Sequence, residues 1–251
     1  MMPTLDSMII VALAFLLAGG VKGVTGLGLP SVSLALLTAT LGLKAAMAIL
    51  IVPSFVTNVW QAAVGGHLLA ILRRTWSLLF AVCVATWFGV GILAKANADL
   101  LAGVLGLVLC IYAVLGLVRI DPASPGRSEL WLSPVVGAVS GILNGMTGSF
   151  VVPGVLYLQS LGFSRDGFIQ AMGVLFTTST IALAFALHDR QLLSGELAIL
   201  SAGAVVPALI GMVTGQVVRR HLSEQTFRTV FFAVLLALGA YIILRAAQAL
   251  V

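Results

Sequence analysis

Two short stretches decide how this sequence folds. The first is Lys22-Gly-Val-Thr-Gly26, running on through Gly28 to Pro30; the second is Asn144-Gly-Met-Thr-Gly148, running on through Ser149 to Pro153. They share a Gly-x-Thr-Gly core and lie 122 residues apart. At the same offset Gly19 falls on Gly141, Gly89 on Gly211 and Thr57-Asn58 on Ser179-Thr180. Leu41-Gly42 falls near Leu161-Gly162, and the two prolines differ by a one-residue slip. Similarity at one long, fixed offset marks an internal repeat. The chain therefore reads as two membrane repeats, 1–120 and 131–251, joined by a polar linker over 121–130 that overlaps the Pro-rich run Arg119 to Glu129.

Both glycine stretches sit in apolar surroundings. Of 251 residues, 61% are hydrophobic and 8% charged, and the mean hydropathy is +1.17, against about 25% charged in a soluble domain. Thirteen Lys and Arg with eight Asp and Glu cannot cover a water-facing surface, which excludes soluble enzymes and nucleic-acid binders despite a pI near 9.8. Cys83 and Cys110 lie in apolar stretches without metal-ligand spacing and read as core residues. The N-terminus lacks a signal peptide's basic region and cleavage site, so its first apolar segment is expected to be retained.

Uncharged intervals of about 20 residues mark membrane helices. Six run from Ala45 to Gly66, Thr75 to Ala94, Leu100 to Val118, Gly167 to Leu187, Leu197 to Val218 and Thr229 to Leu244. Ser7 to Val21 allows only about 22 Å of helix before Lys22, and Leu130 to Ser164 is interrupted at its glycines, so both read as broken or re-entrant hairpins. The expected fold is all-α and polytopic, with two inverted-topology repeats, each a broken hairpin plus three transmembrane helices, about 8–10 membrane segments in total. An odd number of passes per half is what inverts the second. Placing Arg73, Arg74, Arg119, Arg127, Arg165, Arg219 and Arg220 on the cytoplasmic side leaves Lys44, Lys95, Arg190 and Arg245 opposite and puts both termini outside.

Irregular backbone at membrane depth survives only where protein or a water-filled cavity surrounds it. Paired breaks are therefore expected to form a solute site, and a lysine with amide and hydroxyl donors favours an anion. The candidate substrate-binding residues are Lys22, Gly23, Thr25, Gly26, Asn144, Gly145, Thr147, Gly148 and Ser149 at the breaks, with Asn58, Gln61, Thr178 and Ser179 on the helices that follow. Gly28, Pro30, Pro53 and Pro153 are the expected hinges or helix breaks, and Pro53 should free a carbonyl near Ile49. Gly19, Gly137 and Gly141 are spaced for close helix packing, a role open to the other glycines as well. Hydroxyls such as Thr177 to Thr180 also satisfy the preceding turn of their own helix. No catalytic, metal or cofactor site is expected. All eight acidic residues, Asp6, Asp99, Asp121, Glu129, Asp166, Asp189, Glu196 and Glu224, fall near span ends, as do His67, His188 and His221, so no carboxylate relay crosses the interior.

The paired Gly23-Val-Thr-Gly26 and Gly145-Met-Thr-Gly148 breaks, each followed by a proline in a chain of two similar halves, resemble the sulfite exporter TauE/SafE family over nearly the whole length. The resemblance implies a bacterial inner-membrane, multi-pass secondary transporter, often an exporter, for sulfite, sulfoacetate or another organosulfur anion. Its expected partners are that small anion and the lipid bilayer, with no nucleic acid. Members usually carry a more glycine-rich second break than Gly148-Ser-Phe-Val-Val-Pro153. A carboxylate or metal-cation permease and a non-transporting assembly subunit are the alternatives. The identity of the anion, direction, a coupling ion (H+ or Na+) and homo-oligomer formation stay open.

Overall fold

A computed structural model describes residues 4–118, 122–219 and 223–249, all but the side chain of Glu224. Arg119, Asp121, Arg220 and His221, used in the topology and span-end readings above, lie outside the described residues, as does the side chain of Glu224. The described chain is helical, without strands: α1 Leu5–Thr25, α2 Leu29–Leu41, α3 Leu43–Ala63, α4 Leu68–Lys95, α5 Ala98–Val118, α6 Glu129–Thr147, α7 Leu156–Ser160, α8 Arg165–Asp189, α9 Gly195–Gly203, α10 Val205–Val218 and α11 Glu224–Ala249. Among the described residues eight helical segments are long and apolar enough to cross a bilayer, and two shorter ones, Leu29–Leu41 and Val151–Ser160, follow the breaks. Large apolar side chains such as Trp76, Phe80, Phe88, Phe185 and Leu244 are more than half exposed, the surface of a chain whose solvent is lipid.

Counting uncharged residues underestimates two helices. Helix α1 continues through Lys22 to Thr25, so its 21 residues reach about 31 Å, a full crossing. Lys22 is inside the protein, 5% exposed, and ends no span. Helix α11 likewise runs through Arg228, whose Nε and Nη2 donate to the Gly116 carbonyl at 3.2 and 2.8 Å. That carbonyl belongs to the last turn of α5, where orphan acceptors and the helix dipole both favour a cation.

The chain forms two compact units, and each draws on both sequence halves. The first comprises Met1–Pro53, Ala96–Arg119 and Leu192–Val251. Within it α1 lies parallel to α10: a side chain at Gly19 would strike the Ala208 backbone, and four residues on, one at Gly23 would strike Met212 and Gly215. Helices α5 and α11 run antiparallel, since Gly103 faces Ala246, Gly106 faces Ile243, and Gly116 faces Phe232. The carbonyl that Pro53 leaves unbonded is that of Ile49, as expected. It accepts from Ser201 Oγ at 2.8 Å, and Ser201 Oγ in turn accepts from the Val52 N–H at 3.0 Å.

The second unit comprises Ser54–Lys95 and Ile120–Gln191. Here α4 lies parallel to α6, with Gly137 against Leu78, Gly141 against Val82 and Gly145 against Thr86. Two glutamines staple α3 to α8: Gln61 Nε2 donates to Ile169 O at 2.9 Å, and Gln170 Nε2 donates to Ala62 O at 2.8 Å while its Oε1 accepts from the His67 N–H. At one end Arg74 makes a two-pronged bond to Glu129, 2.7 and 2.8 Å.

Helix ends recur at fixed spacing. Thr25 and Thr147 end α1 and α6, and Leu43 and Arg165 begin α3 and α8, each pair 122 residues apart. Helix α8 has 25 residues to the 21 of α3. That extra turn makes the starts of α5 and α11, Ala98 and Glu224, 126 apart. It also corrects one overlay. Gly145 meets Gly89 as Gly23 meets Gly215, so Gly89 corresponds to Gly215 and not to Gly211.

Candidate solute and ion site

Each Gly-x-Thr-Gly stretch is the C-terminal end of a long helix, built the same way twice. In the first unit Gly26 has φ 77° and its N–H donates to the Lys22 carbonyl at 2.7 Å. Thr25 Oγ1 donates to Val21 O at 2.9 Å and accepts from the Leu27 N–H at 3.0 Å. In the second, Gly148 has φ 75° and its N–H donates to Asn144 O at 2.7 Å. Thr147 Oγ1 donates to Leu143 O at 2.6 Å and accepts from the Ser149 N–H at 3.2 Å. The left-handed backbone at the cap explains the second glycine of each motif. The hydroxyl that bridges the preceding carbonyl and the following amide explains the threonine.

This geometry shows which polar groups of the breaks are bonded within the chain. The break amides of Gly26, Leu27, Gly148 and Ser149 are used internally, so they are not the donors that an anion would meet. Gly23 and Gly145 lie in helix contacts, where even one methyl would meet backbone. Gly28, at φ 94°, caps the start of α2, and Pro30 stands in that helix's first turn. Pro153 lies in a single wide turn, Val151–Val155, where Val152 leaves helical geometry and the Val152–Pro153 peptide is cis. Pro53 falls at the boundary of the two compact units.

Lys22 and Thr25 thus stand at the end of α1, Lys22 buried and Thr25 half-buried. In the second unit Asn144 is fully buried. Its Nδ2 donates to the Ser179 carbonyl and to Thr86 Oγ1, both at 3.2 Å, which joins α6, α8 and α4. Asn144 Oδ1, Ser140 Oγ, Ser149 Oγ and Ser179 Oγ are buried without a hydrogen-bond partner. Ser140 sits one turn before Asn144, and a methyl at Gly154 would lie 3.2 Å from its Oγ and 3.3 Å from Leu175 Cδ2. Thr178 is half-buried beside Ser179, and Thr180 Oγ1 bonds Phe176 O in its own helix at 2.7 Å. Asn58 is buried on α3. Gln61, by contrast, serves the α3–α8 staple, away from the break residues in sequence and in bonding.

Three polar residues of this architecture escaped the sequence reading: Thr86, Ser140 and Ser201. Each is a lone hydroxyl in an apolar helix, indistinguishable in sequence from one that bonds its own turn. Ser140 carries a faint signal, four residues before Asn144 and hence on its face of α6.

The helices, the lipid-facing surface and the buried polar breaks define a polytopic helical membrane protein with a polar interior, a class that includes permeases. The family model for "Sulfite exporter TauE/SafE" matches residues 11–242, and the chain belongs to that family of membrane transport proteins. No curated protein and no solved structure matches it.

Proposed function

We propose that the chain is a secondary permease that moves a small anion, such as sulfite, sulfoacetate or another organosulfur anion, outward across the bacterial inner membrane by alternating access between two inverted halves. Family membership over residues 11–242 carries the reading. The duplicated helix ends support it, because helices interrupted at matching positions of two repeats are where transporters build their solute and ion sites. Inversion is supported by α5 and α11. They end the two halves in matching register, and they run antiparallel. Lys22, buried beside the first break, supplies the positive charge that an anion needs. The distribution of Arg and Lys supports an orientation with both termini outside.

The test is flux of labelled sulfite, sulfoacetate and thiosulfate, with a carboxylate control, in proteoliposomes. Wild type should transport at least one sulfur anion, and Lys22→Ala should lose most of that flux. Absence of flux for every anion overturns the reading, and full flux in Lys22→Ala overturns the site. A C-terminal reporter active only in the cytoplasm would overturn the orientation.

A further inference from the structure

We propose that the second helix break holds a Na+ ion, which makes Na+ the coupling ion of the permease; this rests on the transport reading above.

The orientation of the Asn144 amide is fixed by its partner. The Ser179 carbonyl can only accept, so Nδ2 must face it, at 3.2 Å, and Oδ1 must face away. That oxygen is buried in a fully buried residue and has no donor. An acceptor-only atom in this position requires a donor or a cation, and it repels an anion. Among the buried oxygens in the same state, Ser140 Oγ, Ser149 Oγ and Ser179 Oγ belong to residues on α6, just past its cap, or bonded to Asn144, each no more than 1% exposed. Ser140 and Asn144 share a face of α6, Ser179 is the residue that Asn144 bonds, and Ser149 lies just past the α6 cap. The C-terminal end of α6, where Asn144 and Ser149 stand, carries negative partial charge. Neutral oxygens at a helix C-terminus are ligands for a hard monovalent cation. Among the described residues no carboxylate is buried and no His, Cys, Asp and Glu cluster exists, so a divalent or transition metal is unsupported there.

The first break explains why one ion suffices. Lys22 stands 122 residues before Asn144, in the same position relative to the capping glycine. One repeat carries a covalent ammonium where the other presents an uncompensated oxygen.

The experiment uses the purified full-length chain in detergent and in proteoliposomes. Thermal denaturation is followed against NaCl, with KCl and N-methyl-D-glucamine chloride at matched ionic strength, for wild type, Ser140→Ala, Ser149→Ala and Asn144→Asp. Ser140→Ala and Ser149→Ala break no side-chain hydrogen bond, so they keep the test valid if Asn144 variants misfold. Na+ alone should raise the midpoint, and each serine variant should need about tenfold or more Na+ for the same shift, the usual loss when one member of an ion site is removed. Asn144→Asp should need less. Equal midpoints in the three salts overturn the site, and a Na+ shift unchanged in both serine variants overturns its placement. Anion flux that ignores a Na+ gradient overturns the coupling but leaves the permease standing; Na+ binding without flux of any anion does the reverse.

Discussion

Replacing Gly141 with alanine tests whether the close contact of α4 and α6 sets the geometry of the second break. A methyl there would lie 2.6 Å from Val82 O, 2.7 Å from Ala85 Cβ and 3.0 Å from Thr86 N, where ordinary contact begins at 3.4 Å. Relieving the shortest contact moves the helices apart by about 0.8 Å. Two of the three obstacles are backbone, so no side chain can turn aside, and overpacking of this kind costs about 1–3 kcal/mol. The same displacement would carry the 3.2 Å bond from Asn144 to Thr86 beyond hydrogen-bonding range. Gly141→Ala should therefore lower the denaturation midpoint and depress anion flux together. Gly203→Ala is the control: a methyl there meets nothing within 4 Å, and it should leave stability unchanged or raise it by up to about 1 kcal/mol. Unaltered midpoint and flux in Gly141→Ala would refute the view that glycine spacing holds the site in shape.

The remaining predictions address single interactions. Ser201→Ala should destabilise by about 1–3 kcal/mol, because it strands the Ile49 carbonyl. In a double-mutant cycle Pro53→Ala should reduce that penalty by restoring an N–H for the same carbonyl, and strict additivity would contradict the account of the kink. Gly26→Ala and Gly148→Ala force a side chain into left-handed backbone at φ 77° and 75° and should each cost about 1 kcal/mol by chemical denaturation. Lys22→Gln should lower anion flux while leaving the folded yield intact on size-exclusion chromatography; an unchanged rate would remove the lysine from the site. Arg74→Ala should cost no more than about 1 kcal/mol, because its pair with Glu129 is 39% and 23% exposed. A larger loss would show that the pair is less open to solvent than its exposure indicates.

Hydropathy, charge scarcity and the duplicated Gly-x-Thr-Gly stretches were enough to establish a helical membrane chain with eight to ten segments and two breaks. These features are local: a bilayer demands long apolar helices, and a capping glycine with a threonine before it dictates how a helix ends wherever it lies. The kink at Pro53 was legible for the same reason. Contacts were not. Nothing in the order of residues says that Gly23 and Gly145 are there for α10 and α4, that Ser201 completes the broken turn at Ile49, or that Gln61 staples α3 to α8. Nor does it say that Lys22 is buried inside α1, since a charge in an apolar run reads equally as a helix end. Whether a polar atom finds a partner depends on which helix arrives beside it. Only tertiary packing could therefore distinguish the serines and the asparagine oxygen left without partners at the second break from the many hydroxyls that merely bond their own helix.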